Sequence, residues 1–142
     1  MTQPFALQVE RNGVYHLPAE RHLAFESLAQ GAHQKIESID LSRRSTLAGA
    51  LKKIGTALSF PAWYGVNLDA LFDCLTDPEC QAGRGCLISI TGTHRLAAAQ
   101  PEAFSTLLDV LQSAAETLRD DGTPFWVLVD TPGPTLNALP EA

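Results

Sequence analysis

The sequence predicts an α/β domain: a small parallel sheet of about three strands packed with helices, plus an N-terminal hairpin-helix extension. Three observations predict it. Segments of strand length recur at 34–41, where the apolar spacing is imperfect, and as apolar runs at 86–90 and 125–129. Between them lie stretches whose apolar residues repeat at helical spacing. Strands that alternate with helices are joined by right-handed crossovers, which make neighbouring strands parallel. The chain has 142 residues, 45% hydrophobic and 18% charged, enough for one domain with a real core. The domain is expected over 35–130, with 1–34 an extension packed on it and 131–142 a flexible tail.

In chain order, Phe5, Leu7 and Val9 alternate, Asn12 and Gly13 form a strong two-residue turn signal, and Val14, Tyr15 and Leu17 resume extended character. This reads as a hairpin. Pro18 then opens a helical stretch over 19–30 that offers Leu23, Phe25 and Leu28 for burial, and Gly31 ends it. Ile36, Ile39 and Leu41 mark the first strand of the domain proper. Ser42 or Ser45 can cap the next helix, where Leu47, Ala50, Leu51, Ile54 and Leu58 face inward and Lys52 and Lys53 face water. Pro61 bars its continuation.

The second half repeats the scheme. After the connector at 81–85, Cys86 to Ile90 has the length and apolarity of a central parallel strand. Leu96, Ala97 and Ala98 make a short helical turn, and Pro101 starts a longer helix carrying Phe104, Leu107, Leu108, Leu111, Ala115 and Leu118 on one side. Gly122 closes that helix. Phe125 to Val129 is the last buried strand.

Composition narrows the function. The formal net charge is −6 and the isoelectric point about 5.0, which disfavours nucleic acid and anionic membrane and favours a basic protein partner. No apolar run reaches the length of a membrane span, and the start of the chain lacks a signal peptide's pattern, so a cytoplasmic protein is expected. Cys74, Cys80 and Cys86 are too widely and evenly spaced for a disulfide framework or a structural zinc site. They are read as reduced thiols, with no metal and no cofactor.

One stretch conflicts with folding economy, and it runs from Phe60 to Asp77. Asn67 is a good N-cap and Gly65 permits a tight entry to a helix. At 100° per residue, Leu68, Leu71 and Leu75 then share one stripe, Asp69, Asp73 and Asp77 share another, and Phe72 lies on the border. Asp69 suits the first turn, but Asp73 repels it as an i,i+4 like-charge pair, at a cost of a few tenths of a kcal/mol. Trp63, Tyr64 and Phe72 place aromatic surface beside these acids. Carboxylates flanked by rigid aromatics describe a surface for a cationic partner, and a solvated helix face over core aromatics is the plainer alternative.

The segment Phe-Pro-Ala-Trp-Tyr-Gly-Val-Asn-Leu-Asp-Ala-Leu-Phe-Asp-Cys-Leu-Thr-Asp resembles the barstar family, intracellular protein inhibitors of secreted ribonucleases of the barnase kind. In that family an aromatic loop and the helix after it plug the nuclease active site. The resemblance implies a barstar-like fold over about 35–130, with Asp73 as the central anchor, Asp69 supporting it and Trp63 packing on the catalytic face. It makes Trp63, Tyr64, Gly65, Asn67, Asp69, Phe72, Asp73 and Asp77 the candidate partner-binding set. Phe72 stands where the family often has Trp and lacks the indole N–H. A family glutamate late in the second long helix falls on Thr117, leaving its neighbour Glu116 as the candidate.

Three functions follow. The first is an immunity-type inhibitor of a secreted ribonuclease or ribonuclease-like toxin, its acids taking the place of RNA phosphates against Arg, Lys and His. The second is a barstar-fold interaction module with a different basic partner. The third is a hydrolase using Asp69 and Asp73 as an acid/base or metal-binding pair. That last reading lacks any accompanying HExxH, GxSxG or Cys–His signature, and it requires a pocket at Asp73.

Overall fold

The computed structural model describes residues 9, 12–17, 21, 22, 27, 36–62, 64–77, 86–131, 137 and 138. Their backbone forms β1 (Gly13–His16), β2 (Ile36–Asp40), α1 (Leu47–Ala57), α2 (Leu68–Thr76), β3 (Cys86–Thr91), α3 (His94–Ala99), α4 (Pro101–Asp120), β4 (Phe125–Val129) and β5 (Asn137–Ala138). The strands make one sheet in the order β2-β3-β4-β1-β5, parallel throughout. Arg21, His22 and Ser27 are helical, in keeping with the helix expected over 19–30. Among the described residues no helix is long and apolar enough to cross a membrane.

The three strands of the expected domain pair in register, Ile39 against Ile90 and Ile88 against Val127. Every residue of β4 is buried, as a strand inside a parallel sheet requires. Side chains alternate between the two faces. Val14, Ile39, Ile88, Ile90, Phe125, Val127 and Val129 belong to the main core with the apolar sides of the helices, while Leu17, Leu87, Trp126 and Leu128 form a smaller cluster apart. His22 is buried beside that second cluster. Its Nε2–H donates to the Leu17 carbonyl at 2.6 Å, leaving Nδ1 to pair with the Ser89 hydroxyl at 2.6 Å.

Two expectations need correction. The chain does turn at Asn12, whose N–H donates to Val9 O at 2.9 Å, yet Gly13–His16 does not continue into a hairpin. Both neighbours of β1 are parallel: β4 pairs with it from Gly13 to His16, and β5 with Tyr15 and His16. Asn12 is used for its side chain. Nδ2 donates to the carbonyls of Ala115 and Thr123, and Oδ1 accepts from Phe125 N–H at 2.9 Å, so one buried amide joins the extension to α4 and β4. The other strand of the expected hairpin, at Phe5 and Leu7, lies outside the described residues. The tail is the second correction, since Asn137–Ala138 adds a strand to β1 instead of running loose.

The helix ends have local causes. Thr46, rather than Ser42 or Ser45, caps α1, its hydroxyl accepting from Gly49 N–H at 3.1 Å. That helix ends at Ala57, ahead of Pro61, because Ser59 takes a left-handed backbone with φ 55°. Pro101 occupies the first turn of α4, where its missing N–H costs nothing. Gly122, at φ 77°, follows the C-cap and turns the chain toward β4.

Candidate functional site

The candidate site is the loop between α1 and α2 together with the outward face of α2. Asn67 caps α2 as its residue type dictates: Oδ1 accepts from Ala70 N–H at 2.8 Å, a contact worth about 1 kcal/mol. Leu71, Cys74 and Leu75 are then fully buried, and Leu68 and Phe72 pack at the edge of the core. Each buried leucine contributes about 1.5–3 kcal/mol. This inner face seats α2 on α4 and α1.

With the leucines turned inward, Asp69 and Asp73 must project outward, and both are exposed. They stand about 6 Å apart along the helix axis, at 1.5 Å per residue. Among the described residues no hydrogen bond or salt bridge engages either carboxylate. Asp77 is the C-cap of α2, half-buried and already engaged in an interaction of its own. The acid stripe is therefore two open carboxylates followed by one that is partly occupied at the helix end.

The aromatic residues divide. Trp63 lies outside the described residues. Tyr64 faces inward: its hydroxyl donates to Leu51 O on α1 at 2.9 Å, and its ring meets Phe60 edge-on with centroids 4.9 Å apart. Burial pushes its pKa up to about 12, with the Cys74 thiol as a lesser cause in the same direction. Phe60 N–H donates to Gly55 O, and a β-carbon on Gly55 would lie 2.5 Å from the Tyr64 ring. Tyr64 braces the loop on α1, and Gly55 makes room for it. Gly65 is exposed, and its carbonyl accepts weakly from Asn67 Nδ2 at 3.4 Å.

Glu116 lies on the exposed side of α4. Its carboxylate accepts from Gln112 Nε2 at 3.4 Å, and the other end of that amide accepts from Val14 N–H at 2.9 Å. These contacts link Glu116 through Gln112 to β1, on the helix against which α2 packs. Sequence reasoning missed Gly55. The available signal was a glycine inside an otherwise sound amphipathic helix, which marks a close approach.

Described residues line clefts on this side of the molecule and elsewhere. One, of about 590 Å³, lies between the starts of α1 and α4, lined by Thr46, Leu47, Gln100 and Pro101 among others. Another, of about 310 Å³, lies beside the loop, against Lys52, Gly55, Phe60, Tyr64 and Val66. Asp69 and Asp73 line neither.

Fold and site together define an α/β domain with helices on a parallel sheet and a carboxylate-bearing helix presented by a braced loop. The chain belongs to the Barstar family: the family model described as Barstar (barnase inhibitor) matches residues 34–130. The match starts one residue before, and ends with, the region that the motif resemblance marks out. No curated protein matches the chain.

Proposed function

We propose that this chain is a cytoplasmic, immunity-type inhibitor of a barnase-like ribonuclease or ribonuclease-like toxin, and not an enzyme. Asp69 and Asp73 enter the cationic cleft in place of RNA phosphates, and the aromatic loop with Trp63 covers the rim. The observation that carries this reading is the pair of exposed carboxylates on α2, free of described partners, in a member of a family described by its inhibition of barnase. A carboxylate needed for folding would be tied to a donor; these are left for one that arrives from outside. The net charge of −6 supports the same polarity of partner.

The test is a fluorescent RNA cleavage assay with ribonucleases or ribonuclease-like toxins encoded beside this gene. Near-equimolar protein should suppress cleavage without added metal and should itself cleave nothing. A second reading is a barstar-fold module whose basic partner is not a ribonuclease. It is favoured by Phe72, which stands where an indole N–H would reach a partner and instead packs on the core. Retained binding of another basic protein through Asp73, with no nuclease inhibited, would select it.

A further inference from the structure

Two residues flanking the aromatic loop have left-handed backbone without being glycine: Ser59 at φ 55° and Val66 at φ 53°. For valine this is unusual, because its branched β-carbon crowds the following carbonyl, and glycine or asparagine is the ordinary occupant. Val66 is also the exposed large hydrophobic residue among those described, with 41% of its surface open to water. Two costs meet in one side chain. The turn requires neither, since glycine would adopt the same backbone without strain.

An apolar residue one position before an N-cap commonly packs on the fourth residue of the helix, which here is Leu71. Leu71 is completely covered, yet Val66 still presents much of its side chain outward, so that role leaves the exposed part unexplained. Nearby Tyr64 and Phe60 are held to α1 by the bonds to Leu51 O and Gly55 O. Backbone strain of this kind persists where surrounding structure enforces it, and it collects at binding sites.

We infer that Val66 is a partner-contact residue. It is an apolar anchor, held beside the acid helix by its left-handed backbone, that seats against an apolar patch on the rim of the nuclease's cationic cleft. The inference rests on the ribonuclease-inhibitor reading and assigns selectivity within it. Clefts that bind RNA share Arg, Lys and His, so Asp69 and Asp73 cannot tell one from another. An apolar contact at the rim can, and by excluding water it also strengthens the charge pairs next to it.

The experiment compares wild type, V66G, V66N and D73A against a purified barnase-type ribonuclease, reading thermal melting and inhibition of RNA cleavage. V66G should melt at the same temperature or higher, and inhibit about tenfold more weakly, a change of about 1.4 kcal/mol. V66N should weaken inhibition similarly, because asparagine accepts the left-handed backbone and removes only the apolar surface. Weakening by V66G with V66N equal to wild type would trace the effect to loop stiffness and overturn the inference. Unchanged inhibition by both, beside a weakened D73A, would overturn it while leaving the inhibitor reading intact. A wild type that inhibits no such nuclease would overturn both.

Discussion

Asp130 and Asp73 carry the same carboxylate in opposite surroundings. Asp130, just past β4, accepts from Gly92 N–H at 2.7 Å, from Thr93 N–H at 3.1 Å and from the Thr93 hydroxyl at 2.6 Å. Burial works to raise its pKa, but the Thr93 hydroxyl and the two backbone donors outweigh it and hold the group below the usual carboxylate range. Asp73 has no such company among the described residues. The contrast teaches where to look for function in an acidic protein: the acid that the fold consumes is saturated with donors, whereas Asp73 is exposed and keeps its acceptors open, which makes it the one to test against a partner.

Exchanging the roles by mutation is the strongest way to break this contrast. Asp73→Ala should weaken binding of the cognate ribonuclease by about 2–5 kcal/mol, the usual cost of truncating one partner of a buried charge pair. Its melting temperature should barely move, because an exposed substitution usually changes stability by less than about 0.5 kcal/mol. Titration calorimetry and a thermal melt on the same preparation measure both. Tight binding by the variant would remove Asp73 from the interface.

Asp130→Ala should do the reverse. It leaves the Gly92 and Thr93 donors unpaired at the start of α3, at a cost of about 1–3 kcal/mol in urea unfolding, while the nuclease is bound as before. The pH dependence has a definite sign. A folded pKa below the unfolded one contributes stability that is present above the unfolded value and lost as pH falls through the folded value. Wild type should therefore lose stability below about pH 4, and Asp130→Ala should lose less over that window.

Salt sharpens the comparison further. Association should slow by about tenfold between low and physiological ionic strength, with dissociation changing little, because exposed charges steer an encounter and are screened. Stopped-flow mixing shows this directly, and Asp130→Ala should have the same salt slope as wild type. The smallest effect belongs to Tyr64→Phe, about 0.5–1.5 kcal/mol from the lost bond to Leu51 O. The folded pKa of Tyr64 is raised from 10.0 to about 12, so its contribution is complete below pH 10 and is lost as pH rises from there toward 12. The Phe variant should lack that alkaline loss in a thermal melt.

What could be read from sequence followed the range of the interactions. The stripe of Leu71 and Leu75 against Asp69 and Asp73 is set within three helical turns, and Asn67 caps its own helix, so periodicity and residue type sufficed. β3 and β4 were legible because their apolarity is continuous. The hairpin failed for the opposite reason: Asn12 and Gly13 carry a strong local turn signal, but Asn12 bonds Phe125, 113 positions away. The inward turn of Tyr64 was equally hidden. Its ring belongs to the aromatic loop by sequence, and only the placement of Gly55 and Leu51 on α1 draws the ring and hydroxyl inward onto that helix.

The position of β1 has a practical consequence for where this protein may be cut. The family match begins at residue 34, yet β1 lies well before it and occupies the flank of β4 along four residues. A fragment trimmed to the family boundary would turn β4 from an interior strand into an edge. Its Phe-Trp-Val-Leu-Val backbone would present unsatisfied hydrogen-bonding groups between two apolar faces, a template for pairing with another copy. The unit of ancestry and the unit of solubility thus have different starting points, and it is the second that an expression vector must respect.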